Sequence, residues 1–219
     1  MALHGVAYCE DPAVQAFARH LDGPDTAGVM VAGMRAFLED KQQLAPPAPW
    51  SPSRPPVTGY RAVAELAVAA GLTPARIDAA RRAARLDLAG TAWILDPADG
   101  LPELLELVAG RAELVLVADP ADPATDPVVD ALELAGRYPV VDPDRLPPAL
   151  TGGRALLIDA DWSPVLAAAS GRAGEATTAL IDRFGSGTGT PDLRAADLPG
   201  LLLGVADWLD RIPRAEGDA

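Results

Sequence analysis

Two short apolar runs in the chain end in acid: Val117-Ala118-Asp119 and Ile158-Asp159-Ala160-Asp161. A strand that stops at Asp-x-Asp can present hard oxygen ligands, and a magnesium ion takes few carboxylates while keeping its waters. Asp159 follows the sheet-core residues Leu156 to Ile158 and is the stronger site candidate of the pair. Asp161 has two open readings, as a metal ligand or as the cap of a helix beginning at Trp162 and Ser163. Arg76, Arg81, Arg82 and Arg85 recur along one helical segment. They could grip an anionic ligand through bidentate contacts, or form a solvated face paired with Asp87 and other carboxylates.

Other reactive types carry less. Gly185-Ser-Gly187-Thr-Gly189-Thr190 has the look of a phosphate cradle, but no lysine follows and the spacing fits no nucleotide motif, so a loop is expected. His4, His20 and Cys9 lack the four ligands and close pairs of structural zinc. Cys9 could act as a nucleophile with His4 as base, although a buried inert thiol is the plainer reading. Ser163 has no histidine in a plausible triad. Trp50, within a proline-rich stretch, could dock on a partner or pack on its own protein.

The elements that position these residues follow from periodicity. Val14, Phe17, Ala18 and Leu21 recur at helical spacing after Asp11-Pro12, which is expected to cap and start a helix, and Gly23-Pro24 ends it. Met30, Met34, Phe37 and Leu38 repeat the spacing in a second helix from Asp25 to near Asp40. Residues 46–56 hold too many prolines for a helix or an inner strand. Helical pattern resumes at Tyr60 to Ala70 and again after Thr73-Pro74, where Ile77, Ala80, Ala84 and Leu88 share a face.

After Gly90 short apolar runs alternate with helices, the grammar of βα units around a parallel sheet. Strands are expected at 113–117, 138–141, 154–159 and 176–182. Helices are expected around Leu101 to Val108, Asp126 to Ala135, Ser163 to Ala169 and Leu198 to Leu209. In such sheets ligands favour the carboxyl ends of the strands.

Composition narrows the class. The chain has 219 residues, 49% hydrophobic and 22% charged, enough for one sizeable globular core with a small insert. A formal charge of -13, from 31 acidic and 18 basic residues, repels phosphate backbones and anionic lipid, so neither nucleic acid nor membrane is expected as partner. The longest uncharged stretch, Gln42 to Ser53, carries four prolines and falls short of the roughly 20 apolar residues of a bilayer span. No basic start precedes an apolar run, and the single cysteine cannot form an internal disulfide, so a cytoplasmic location is expected. Lys41 is the one lysine, a bias that suggests a GC-rich bacterial genome.

The layout resembles the haloacid dehalogenase-like superfamily. Leu3-His4-Gly5-Val6-Ala7-Tyr8 is similar to its first motif, and Asp99-Gly100-Leu101-Pro102 through Leu114-Val-Leu-Val117 to the approach to the second. Ala155-Leu-Leu-Ile-Asp159-Ala-Asp161 is similar to the fourth. The likeness extends to Thr178-Ala-Leu-Ile-Asp182 and Thr190-Pro-Asp-Leu-Arg194. It implies a Rossmann-like three-layer α/β sandwich with an inserted helical cap. The core would be residues 1–10 and 91–219, and the cap residues 11–90 with a proline-rich loop at 46–56.

Carried over by position, the family's nucleophilic aspartate falls on Ala2, its general acid/base on His4 and its strand-end hydroxyl on Ala118. Arg145 and Arg154 are the nearby candidates for its cationic residue, neither in a matching motif. The implied mechanism is attack by the first aspartate on phosphorus or carbon, followed by hydrolysis of the acyl intermediate, and alanine cannot perform it. The expectation is therefore a hydrolase fold without catalysis or cofactor, acting by binding a protein partner or a small anion through Arg76, Arg81 and Arg85. The alternative is an active magnesium-dependent, phosphatase-like hydrolase. Asp159 and Asp161 would hold the metal there, with Asp119 or a water as nucleophile. Only Met1 precedes Ala2, where a buried strand normally runs about five residues. The sequence thus either starts from a shortened reading of a longer gene or belongs to a domain that has lost its central strand.

Overall fold

The computed structural model describes residues 1–8, 11–21, 59–146, 155–160, 166, 176–182 and 189–211. Cys9, the helix expected from Asp25, the proline-rich stretch with Trp50, and Arg154, Asp161 and Ser163 lie outside the described residues, as does most of the glycine loop.

Three helices come first: α1 (Asp11–Leu21), α2 (Gly59–Ala69) and α3 (Pro74–Thr91). The periodicity that predicts them also sets what they bury. Val14, Phe17, Ala18 and Leu21 of α1 meet Val63, Leu66 and Ala67 of α2 and Ile77, Ala80 and Ala84 of α3 in one apolar cluster. Thr73 starts α3 by accepting the Arg76 amide on its hydroxyl, and Pro74 occupies the first turn, where its missing donor costs nothing.

The rest of the chain alternates helix and strand: α4 (Leu101–Val108), β1 (Leu116–Val117), α5 (Thr125–Ala131), β2 (Val140–Val141), β3 (Ala155–Asp159), β4 (Ala176–Ile181), β5 (Leu193–Ala195) and α6 (Leu198–Asp210). This is a mixed α/β chain with small parallel sheets. β1 pairs with β2, β3 with β4, and β4 with β5, all parallel. Residues 1–3 lie between the two sheets. Ala2 donates its amide to Ile158 O at 2.8 Å, Leu3 donates to Val117 O at 3.0 Å, and Val117 donates to Met1 O at 2.8 Å. Across the molecule the order is therefore β2, β1, residues 1–3, β3, β4, β5.

Apolar clusters cover both faces of β3 and β4. Ile158, Ala179 and Ile181 join the larger cluster with α4 and α6, while Leu157 and Leu180 face Leu146 and Leu166. Among the described residues, no helix is long and apolar enough to cross a membrane.

Two strands, β1 and β2, are shorter than expected, one helix stops early and one strand is unannounced, each for a local reason. β1 forms only at Leu116–Val117, because a ladder cannot outrun its partners and Val140–Val141 offers two residues. The helix expected to reach Ala135 stops at Ala131. Glu133 takes φ 56°, and the Leu134 amide closes on Val129 O at 2.9 Å, burying Leu134 over the last turn. β5 has no apolar alternation to announce it; it pairs with β4, and Asp192 just before it receives the amide and hydroxyl of buried Thr178 at 2.8 and 2.9 Å.

Candidate functional site

β1 and residues 1–3 run parallel through the Ala2–Val117 bridge. Their continuations, Ala118-Asp119 and His4, consequently emerge at one edge of the sheet. Gly5, at φ 79°, turns the chain immediately afterwards, a conformation that costs a residue with a Cβ about 1 kcal/mol or more. Asp159 ends β3 beside them.

A cavity of about 230 Å³ opens at this edge, with Ala2, His4, Ala118, Asp119 and Asp159 in its wall. The other described side chains of the lining are apolar, among them Val117, Leu146, Leu157, Ile158 and Leu166; Met1 also borders it, its buried α-amino group donating to Val115 O at 2.9 Å, with burial lowering that group's pKa to about 6 against the pull of Asp159. Five positions picked out from the sequence thus border one space. Backbone amides orient both carboxylates: Asp119 Oδ1 receives the Ala121 N–H at 2.8 Å and Asp159 Oδ1 the Ala160 N–H at 2.7 Å. Thr125, buried at the start of α5, donates its hydroxyl to Asp119 O at 2.7 Å and fixes the turn.

His4 also belongs to a polar cluster that the sequence does not reveal. Its Nδ1 lies 2.8 Å from the Tyr8 hydroxyl and 3.2 Å from Arg85 Nη1, and the Arg85 Nε lies 3.3 Å from Asp122 Oδ2. A guanidinium can only donate, so Nδ1 acts as acceptor and the ring proton is assigned to Nε2. That Nε2 is buried, without a hydrogen-bond partner, and 3.8 Å from Asp122 Oδ2. Burial and then the Arg85 charge lower the His4 pKa from 6.5 to about 3. The nearby Asp122 carboxylate would oppose this, but Arg85 sits closer to it than His4 does and offsets its charge.

Such a histidine is a poor proton carrier near neutral pH. General-base efficiency peaks when the pKa approaches the working pH, and its one lone pair already faces Tyr8 and Arg85. Tyr8 is fully buried four residues after His4, a spacing that hints at contact, but Asp122 arrives from a distant loop and leaves no sequence signal.

Of the three arginines expected to bind an anion, Arg76 donates from Nη2 to Leu21 O at 3.3 Å and Arg81 lies 5.7 Å from the centre of the Phe17 ring. Both brace α1 against α3. Arg85 reaches the polar cluster, and none of the three lines the cavity. Arg145, also described, is exposed on the turn before Leu146 and is not part of the lining either. Among the described residues no three His, Cys, Asp or Glu side chains gather as a metal site. His20 instead pairs with Asp87 at 2.6 Å, tying α1 to α3.

No family model matches the chain, and no curated protein matches it either.

Proposed function

We propose that this protein is a haloacid dehalogenase-like, Rossmann-type scaffold that has lost covalent catalysis and works by binding, either a small ligand at the sheet-edge cavity or a protein partner. The observation that carries the reading is the cavity wall itself. Ala2 and Ala118 line the same space as Asp119 and Asp159 and have only methyl side chains, at the positions where the resemblance puts a nucleophile and a phosphoryl-holding hydroxyl.

The strand order supports the fold part of the proposal. Reading outward from residues 1–3, β1 and β2 follow on one side and β3, β4 and β5 on the other, the reversal that creates a ligand crevice in doubly wound sheets. Apolar layers on both faces of β3 and β4 agree with a sandwich. The helical cluster of α1, α2 and α3 stands where a cap would be inserted.

Three deficits argue against turnover. A methyl group cannot attack, a histidine with pKa about 3 is a weak base, and the described basic group bordering the cavity, the Met1 α-amino group, already donates to Val115 O and is lowered by burial to a pKa of about 6. In the active alternative Asp159 would be the magnesium ligand within the described lining, Asp161 lying outside the described residues, and the ion would supply charge neutralisation.

The test is turnover of generic phosphate esters with magnesium by the wild type and by Asp159→Ala. Rates at the uncatalysed background in both are expected. Turnover in the wild type that disappears in Asp159→Ala would overturn the binding reading in favour of a magnesium-dependent hydrolase.

A further inference from the structure

We infer that the groove between α1 and the C-terminal end of α3 is a second binding site, which takes a small amphipathic carboxylate with its apolar body along Gly90 and its head at Arg19. The inference is independent of the sheet-edge cavity and goes beyond the reading given for it.

Helical spacing builds the groove. Ala13, Ala16 and Arg19 share one face of α1, Leu86 and Gly90 share one face of α3, and Ile94 extends that face past the helix end. The space they border is about 580 Å³, within the range of small-molecule sites.

Three observations point to this occupant. First, Leu86 and Ile94 are 61% and 53% exposed, two of the four exposed large apolar side chains among the described residues, and both border this one space. An apolar body laid between them would take their surface out of water.

Secondly, the fold of α3 gives no reason for Gly90. A glycine inside a helix is costlier than alanine because its backbone loses more freedom. One usual compensation, a left-handed helix cap, is missing because its φ is not positive. The other, close packing, is missing because a Cβ built there meets nothing within 4 Å. What the glycine does is keep the groove open down to the helix backbone.

Thirdly, Arg19 is exposed at the groove and, unlike Arg76, Arg81 and Arg85, has no hydrogen-bond or ion-pair partner among the described residues. Asp87, the acidic residue of the described lining, already lies 2.6 Å from His20 Nε2. The uncommitted charge is therefore positive, and a carboxylate complements it with two acceptor oxygens. Repulsion from the rest of a protein of net charge -13 is screened beyond about 8 Å at physiological salt.

Octanoate, 1-octanol and octylamine carry three heads on one chain. They are titrated into the full chain near pH 7 and followed by backbone amide chemical shifts. Octanoate is expected to bind at least about fivefold more tightly than octylamine, and to move the amides of Arg19 and Ile94 while leaving that of Ala118 in place. Arg19→Gln, at an exposed position, should bring octanoate to the level of octanol. Gly90→Leu fills the groove where there is room for a side chain and should abolish binding of all three, with circular dichroism checking that it is folded. Gly90→Ala should unfold at a higher midpoint than the wild type.

The inference fails if none of the probes binds, if octylamine binds as tightly as octanoate, or if octanoate is unaffected by Arg19→Gln. It fails also if folded Gly90→Leu still binds octanoate, or if the shifts gather at Ala118 and Asp159, which would place the probe in the sheet-edge cavity. A lowered midpoint in Gly90→Ala would show that the fold itself requires the glycine and would overturn its assignment to the groove. Should Gly90→Leu not fold, the Arg19→Gln titration decides.

Discussion

His4 concentrates the conflict between stability and charge. Its ring borders the cavity, its Nδ1 is taken by Tyr8 and Arg85, and its Nε2 is buried without a hydrogen bond. Protonation would place a second cation beside Arg85. With a folded pKa of about 3 against 6.5, the unfolded chain binds the extra proton throughout that interval. Stability is then fully present above pH 6.5 and falls as the pH drops from 6.5 towards 3. At about 1.4 kcal/mol per pKa unit, the loss is of order a few kcal/mol. His4→Gln, which cannot titrate, should flatten this slope, and urea unfolding of both proteins at pH 7 and pH 4.5 measures it. Equal pH slopes for the two would show that other groups set the acid response. The role of this residue was only partly legible beforehand. Ala2, His4, Ala118, Asp119 and Asp159 could be picked out because strand ends gather at one sheet edge. Tyr8 follows His4 at a spacing that hints at contact, whereas Arg85 and Asp122 come from distant segments that local spacing cannot bring together.

At the scale of elements, the chain is readable where a pattern repeats and opaque where a strand is held by side chains. Ile77, Ala80, Ala84 and Leu88 predict the buried face of α3, and all four are buried there. The β-branched and leucine runs around Leu157 and Leu180 predict β3 and β4 to within a residue. β5 shows no such alternation, since Leu193–Ala195 is too short to carry a period. Asp192 reinforces the three-residue β4–β5 ladder by receiving both the amide and the hydroxyl of Thr178, which is fully buried. Asp192→Ala leaves two buried donors without this acceptor and should cost about 3 kcal/mol. Thr178→Val removes one of those donors, so in the double variant the two losses should sum to less than their separate values. Denaturant midpoints of the four proteins test this. Strict additivity would mean that Asp192 does not anchor β5 through Thr178.

For the molecule as a whole, the decisive feature is that three residues join two sheets. Residues 1–3 exchange backbone hydrogen bonds with β1 on one side and reach Ile158 of β3 on the other. The cavity is bounded by the ends of these same segments, so its shape depends on that junction. A segment so short carries no hydrophobic period, and its position between β1 and β3 comes from pairing with distant residues. Ala2→Pro isolates the junction, because proline removes the one donor directed at Ile158 O and no ring atom can replace it. The expected cost is about 3 kcal/mol, with faster hydrogen exchange at Leu3 and Val117, whose amides bond across the same seam. Ala2→Ser retains the amide and changes only the side chain facing the cavity, so its stability should stay within about 1 kcal/mol of the wild type. If Ala2→Pro unfolds at the wild-type midpoint with unchanged exchange at Val117, the two sheets are held together by their side-chain packing, and residues 1–3 merely lie between them.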